Sequence, residues 1–294
     1  MEVAFSTAKG VSYHGEIEEI FQDGALSEYY GKVSLIFTSP PFPLVRRKKY
    51  GNFKGEVYLK WMENVAKSLG KFLKEDGSIV IEIGNSWVKG SPAMSILPLQ
   101  SLMAFLDAGD YNLCQQFIWN NTAKLPSPAE WVNIRRIRVK DSFTNIWWMS
   151  PIEYPKADNK KVLNEYSESM KQLLSSKKYN SGVRPSEHVI GEKSFLSNNN
   201  GSIPSNVFSL SNTSSDTQYA KYCKDNEFPV HPARMPKEIA EFFIRFLTDE
   251  NDIVFDPFSG SNTTGFVSES LGRQWVSLEK NASYIDGSKG RFNL

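Results

Sequence analysis

Two short clusters in this chain carry residues able to do chemistry on a planar amine. The first, Thr38-Ser39-Pro40-Pro41-Phe42, closes the apolar run 33–37. Each proline lacks an N–H and fixes φ at about −65°, and Ser39 is driven towards extended backbone by the proline after it. A hydroxyl, proline carbonyls and an aromatic face therefore meet at a rigid elbow on a strand's carboxyl end, where α/β sheets place ligands. Such an elbow suits a flat ring bearing an exocyclic amine. The second cluster, Asp256-Pro257-Phe258-Ser259-Gly260-Ser261-Asn262-Thr263-Thr264-Gly265, reads as a strand end, a Gly/Ser turn and a helix start. Its small residues let the backbone approach a ligand closely. The helix N-terminus offers N–H groups and a positive dipole end to a carboxylate. Glu279 ends the next strand about twenty residues on, where an acid accepts hydrogen bonds from ribose hydroxyls.

The second cluster departs from two better-known nucleotide loops. Gly260 and Gly265 have P-loop spacing, but Phe266-Val267 stands where Lys-Ser/Thr is required, which argues against a triphosphate. Asn262 occupies the second glycine of a GxGxxG turn, which argues against NAD. S-adenosylmethionine, with a ribose and an amino-acid carboxylate but no phosphate, fits better.

The elements that position these clusters follow from periodicity. Strands are expected over 33–37, 78–83, 111–119 and 143–149, with helices over 57–73 and 95–106 between them. Regular structure resumes with a helix over 237–247, a strand over 252–256, a helix over 262–271, a strand over 274–279 and a final helix from 282. This is βαβ logic: an α/β fold with a mostly parallel, doubly wound, Rossmann-like sheet covered on both faces. The stretch 156–226 is rich in Lys, Ser and Asn and lacks long apolar periods. It reads as an inserted recognition region with little core of its own. The expected division is a catalytic half over 1–150, the insert over 151–226 and a cofactor-binding half over 227–294.

With 294 residues and 40% hydrophobic content, the chain can bury a full core. No 18-residue apolar run and no signal-peptide hydrophobic region are present, so a soluble, cytoplasmic protein with no membrane partner is expected. Cys114 and Cys223 form no CxxC pair, and His14, His188 and His231 are scattered, so no metal centre is expected. The net charge is only +1, but Arg46-Arg47-Lys48-Lys49 lies just past the elbow, and Arg135, Arg136, Arg138 and Lys140 form a second basic cluster. Clusters of this kind provide phosphate contacts, so Arg46, Arg47, Lys48, Lys49, Arg135 and Arg136 are candidate contacts to a nucleic-acid backbone.

Taken together, the motifs resemble the amino-group DNA methyltransferases. Ser39-Pro40-Pro41-Phe42 resembles their (S/D/N)PP(Y/F/W) catalytic motif, and Asp256 to Ser261 resembles their S-adenosylmethionine loop. The catalytic motif precedes the cofactor loop, as in the permuted β class. His231-Pro-Ala-Arg-Met-Pro236 resembles the segment that precedes the loop in that class. His14-Gly15-Glu16 resembles, more distantly, a segment near the cofactor's adenine.

The resemblance implies a methyltransferase fold with an inserted target-recognition region, S-adenosylmethionine as cofactor and double-stranded DNA as partner. It places the cofactor among Thr38, His231, Pro232, Asp256, Pro257, Phe258, Gly260, Ser261, Asn262, Thr263 and Glu279. The catalytic set is Ser39, Pro40, Pro41, Phe42 and Glu82. Ser39 Oγ and the Pro40 carbonyl accept the two hydrogens of the target amine, Phe42 stacks on a flipped base, and a protonated Glu82 donates to cytosine N3. Serine at the motif's first position favours cytosine N4, within a restriction–modification pair; the alternatives are adenine N6 and, outside catalysis, an inactive cofactor-binding DNA-recognition protein. Ring-carbon methylation needs a nucleophilic cysteine, and neither cysteine follows a proline as that chemistry's nucleophile does.

Overall fold

Among the described residues, nine strands share one sheet that is mostly parallel. The computed structural model describes residues 1–42, 55–191, 195–212 and 216–294; the basic run Arg46 to Lys49 lies outside the described residues. The chain opens on an antiparallel hairpin of β1 (Glu2–Ser6) and β2 (Gly10–His14). β3 (Val33–Thr38) is buried at all of its positions. Burial on both faces is why 33–37 is apolar at every position but Ser34 and does not alternate. α1 (Gly55–Gly70), β4 (Leu73–Gly84), α2 (Leu97–Gly109), β5 (Asn112–Asn121) and β6 (Phe143–Ser150) complete the first half.

Residues 158–205 form a separate compact unit. It contains α3 (Glu168–Ser176), N-capped by the Ser167 hydroxyl, and an antiparallel pair of β7 (Gly182–Val183) and β8 (Val189–Ile190). None of the α3 residues is buried, in keeping with a polar composition that supplies little core. The unit lies within the insert expected over 151–226. β9 (Val207–Leu210) pairs with β5, and α4 (Thr217–Asp225) buries Tyr219 and Cys223, so both belong to the main body. Their inward residues alternate with Ser, Lys and Asp, and that mixture hid them. The N-terminal hairpin of β1 and β2 is likewise absent from the expected elements.

α5 (Lys237–Leu247), β10 (Ile253–Asp256), α6 (Thr263–Ser270), β11 (Gln274–Glu279) and α7 (Ala282–Ser288) follow. The sheet order is β1-β2-β11-β10-β3-β4-β6-β5-β9. From β2 to β4 the neighbours are parallel, while β6 lies antiparallel between β4 and β5. Helix α1 carries the chain from β3 to β4 on one side, and α6 carries it from β10 to β11 on the other. β3 and β10 are therefore adjacent strands whose onward connections diverge, the switch point at which open α/β sheets bind ligands.

Helices cover both faces. α1 and α2 set Met62, Val65, Leu69 and Phe105 against Ile36, Ile79, Ile81 and Phe255. α5 sets Ile239, Phe243, Ile244 and Leu247 against Leu35, Phe37, Val80 and Ile146. Each such side chain contributes about 1.5–3 kcal/mol by leaving water, which holds the strand ends in fixed positions for the site above them. Among the described residues, no helix is long and apolar enough to cross a membrane, and no group of three His, Cys, Asp or Glu is placed to hold a metal ion.

Candidate active site

The carboxyl ends of β3 and β10 open onto a cavity of about 450 Å³. Thr38 ends β3 and Asp256 ends β10, and the Thr38 hydroxyl donates to Asp256 Oδ1 at 2.6 Å. The Thr264 hydroxyl donates to Asp256 Oδ2 at 2.7 Å, and the Phe258 N–H adds a third bond at 3.1 Å. Burial pushes the Asp256 carboxyl up to about 6, against the lowering effect of these donors and with a further rise from Glu279. A carboxyl held on both oxygens is a rigid part of the wall.

Glu279, at the end of β11, faces the same cavity. Its Oε2 accepts the Gly260 N–H at 2.9 Å and its Oε1 accepts the Asn281 N–H at 2.9 Å. Burial raises its pKa while those two amides lower it. Gly260 needs its missing side chain: φ is +51°, and a Cβ would lie 2.9 Å from His231 Nε2. Asn262, also left-handed, caps α6 by accepting the Gly265 N–H at 3.1 Å. Replacing Glu279 with glutamine is expected to weaken cofactor binding by about tenfold or more. Both oxygens face N–H donors, so the new amide must turn an NH₂ towards one of them and leave a buried donor unsatisfied. Cofactor titration checks this, and unchanged affinity would rule out the fixed-acceptor role.

The elbow is built by register. β3 and β4 pair in parallel with Phe37 opposite Val80 and Thr38 opposite Ile81, so the next step sets Ser39 beside Glu82. From there the Ser39 side chain acts to lower the pKa of the Glu82 carboxyl. Glu82 is buried on the face shared by Val80 and paired with Ile146 of β6. Desolvation pushes its carboxyl up to about 7, and the Ser39 side chain and the charge of Lys124 oppose that rise. Phe42 lies on the end of β4, where a Cβ on Gly84 would come within 2.7 Å of its ring. The Tyr58 hydroxyl of α1 donates to the Pro41 carbonyl at 3.1 Å and fixes the second proline.

Of the expected cofactor residues, the structure brings Thr38, His231, Asp256, Pro257, Phe258, Ser261, Thr263 and Glu279 together on the cavity wall, beside Ser39, Pro40, Pro41 and Phe42. Gly260 and Asn262 shape the turn behind that wall, Pro232 is exposed, and Glu82 stands behind Ser39. Arg135 is paired with Glu130 at 2.7 Å and stacked over Trp131, and Arg136 is exposed. Sequence reasoning missed Ile17 and Glu18, which follow the β2 hairpin, and Trp61, whose indole donates to Glu18 at 2.8 Å. It also missed Tyr58 and Tyr284, while Arg234 lies within the segment 231–236 already matched to the family. A faint signal existed in His14-Gly15-Glu16, since Gly15 and Glu16 do line the cavity.

A family model described as DNA methylase, for N6 and N4 amino-methyltransferases, matches residues 33–290. The chain belongs to that family. It is 45% identical over 294 residues to the type II methyltransferase M.PvuII of Proteus hauseri, covering 98% of this chain and 85% of that protein. It is 26% identical to M.BglII of Bacillus subtilis, covering 86% of this chain and 62% of that protein. Among solved structures, it superposes on the PvuII DNA methyltransferase (cytosine-N4-specific) with a TM-score of 0.78 at 38% identity, covering 99% of this chain and 88% of the other. A DNA modification methylase from Thermus thermophilus, solved with S-adenosyl-L-methionine, shares the fold with a TM-score of 0.58 at 18% identity, covering 96% of this chain and 92% of the other. The α/β architecture, with its mostly parallel sheet, is that of the family's DNA methyltransferases.

Proposed function

We propose that this chain is a site-specific DNA methyltransferase that moves a methyl group from S-adenosylmethionine to the N4 amine of a cytosine flipped out of duplex DNA. The observation that carries the reading is the register-matched pair Ser39–Glu82 at the edge of the cavity walled by Asp256 and Glu279. The similarity to a protein named as cytosine-N4-specific supports N4 over adenine N6, as does serine at position 39.

The residues fit the cofactor. Glu279 is a fixed acceptor at the place a ribose requires, and the turn 259–262 leaves a glycine where the backbone must come close. S-adenosylmethionine, when bound, supplies a methyl group made electrophilic by its sulfonium. This chain's own residues prepare the amine. The N4 lone pair is delocalised into the ring, so the amine is a poor nucleophile. Hydrogen bonds from N4 to Ser39 Oγ and the Pro40 carbonyl favour a pyramidal nitrogen with a localised lone pair. Phe42 stacks on the extruded base.

The Ser39–Glu82 contact favours a role for Glu82 that differs from donation to cytosine N3. An ionised Glu82 accepts the Ser39 O–H, which leaves the oxygen of Ser39 to accept an N4 hydrogen. The proton that N4 must lose then passes to Ser39 Oγ as the Ser39 proton passes to Glu82. Neither cysteine takes part: neither lines the cavity, burial pushes the Cys114 thiol up to about 11, and Cys223 is buried in α4.

In the same reading, Arg136, Arg138 and Lys140, together with Arg46 to Lys49 and the unit 158–205, contact the duplex, and a cognate restriction endonuclease reads the same site in the cytoplasm. The test is mass spectrometry of nucleosides from DNA methylated by the purified protein. N4-methylcytosine is the expected product; N6-methyladenine in its place would overturn the choice of base.

A further inference from the structure

Arg291 is a charged residue buried against the wall of the cofactor cavity, and no part of the proposed chemistry uses it. Its side chain is 5% exposed. Burying a guanidinium is unfavourable unless it is paired and fully hydrogen-bonded, and Arg291 is both. Nη1 donates to Asp216 Oδ1 at 2.8 Å and Nη2 donates to Asp216 Oδ2, a two-point pairing of fork and carboxylate. Nε donates to the Ser261 carbonyl at 2.6 Å, and Nη2 reaches the Ser261 hydroxyl at 3.1 Å. The guanidinium lies over the Tyr219 ring, 4.5 Å from its centroid.

Its partners all lead to the cavity. Ser261 is on the wall, in a turn with left-handed backbone at both Gly260 and Asn262. A non-glycine residue in that region is held there only by its surroundings, and Arg291 grips the residue between the two. The Tyr219 hydroxyl accepts the His231 N–H at 3.0 Å. His231 in turn packs against Gly260 and meets the Tyr284 ring at 4.6 Å. Asp216 Oδ2 also lies 3.6 Å from Nη1 of Arg234, a further wall residue.

We propose that Arg291 is a positioning residue for the cofactor: with Asp216 and Tyr219 it fixes the spacing between the turn 259–262 and the segment 231–235, the two sides of the cavity's cofactor end. The inference rests on the proposed methyltransferase function, because it concerns how that cofactor is held. It assigns a task to the Asp216-Thr217-Gln218-Tyr219 stretch and to Arg291, which touch neither the target base nor the methyl group.

The test compares wild type, Arg291→Lys, Asp216→Asn and the double variant, with S-adenosylmethionine affinity measured by titration calorimetry without DNA. Lysine keeps the charge but cannot span Asp216 and Ser261 with a planar fork. Each single variant is expected to weaken cofactor binding by about tenfold, the loss of one charge-assisted contact. The double variant should lose clearly less than the product of the two single losses, because both cut the Arg291–Asp216 link. The rate at saturating cofactor and the affinity for DNA should stay within about threefold of wild type, which separates positioning from general damage. If Arg291→Lys does not fold, Asp216→Asn, changed at a partly exposed site, decides the question alone. Folded variants that bind the cofactor as wild type does, or whose losses multiply independently, would overturn the positioning role. A wild type that binds no S-adenosylmethionine would overturn the functional reading instead.

Discussion

Replacing Ser39 with alanine is expected to lower single-turnover methyl transfer by about 100- to 1,000-fold, the usual effect of removing one preorganised group from a reacting centre. Cofactor affinity should stay within about twofold of wild type, because the Ser39 side chain lies beside Glu82 and makes no bond to Asp256, Glu279 or the turn 259–262. The variant should also fold. Ser39 is only partly buried at the strand's end, and the elbow's shape comes from the two prolines and from Tyr58 holding the Pro41 carbonyl. The loss has two parts. The N4 hydrogen loses an acceptor that sharpens the nitrogen lone pair, and the proton loses its path to Glu82. Threonine at the same position keeps the oxygen and should recover part of the rate. A Ser39→Ala enzyme with near-normal turnover would place the proton acceptor elsewhere; one that also fails to bind cofactor would make Ser39 part of the cavity's support.

How much of this was legible depended on the range of the interactions. The strand 33–37 and the Ser-Pro-Pro-Phe elbow are local: burial on both faces writes a mostly apolar run, and proline writes its own backbone. Helix 237–247 and strand 274–279 were placed as they stand, since amphipathic period and strand pattern agree there. The turn after Asp256 and the acid at 279 were legible because βαβ units keep their ligand contacts within one unit. The pairing of Ser39 with Glu82 was not, for it depends on the register of two strands joined by a helix, and a shift of one residue would turn Glu82 to the opposite face. Glu82 stood out only as an acid in an apolar strand; its partner came from the sheet. The residues from other elements, Glu18, Tyr58, Trp61 and Arg291, reach the site by packing alone. Arg291 in particular reads as one more cation in Lys289-Gly-Arg291, and only the fold reveals it as buried. The span 206–226 failed for a related reason: its inward residues are few and separated by Ser, Asn and Lys, so composition outweighed periodicity.

The second large effect concerns pH. Burial holds the Glu82 carboxyl at about 7, and the proposed chemistry uses its ionised form. The single-turnover rate at saturating cofactor should therefore rise about tenfold per pH unit below 7 and level off above it. Saturation matters because Asp256 titrates at about 6 and Glu279 is also raised; both stand on the cofactor wall, so their protonation acts on cofactor affinity and drops out once the site is full. The sign separates the two roles open to Glu82. As a proton acceptor it works when charged and the rate climbs with pH; as a donor to cytosine N3 it works when neutral and the rate falls through the same range. Substitution gives an independent check. Glutamine can still donate a hydrogen bond but cannot take up a proton, so Glu82→Gln and Glu82→Ala should lose about 100-fold alike, and both should lose the pH limb centred at 7. A glutamine variant that stays well above the alanine variant, together with a rate that falls with rising pH, would return Glu82 to the donor role and leave Ser39 to pass its proton to water. The arrangement favours acceptance, since a buried carboxyl beside the Ser39 hydroxyl gains most from a hydrogen bond to it when it carries the charge.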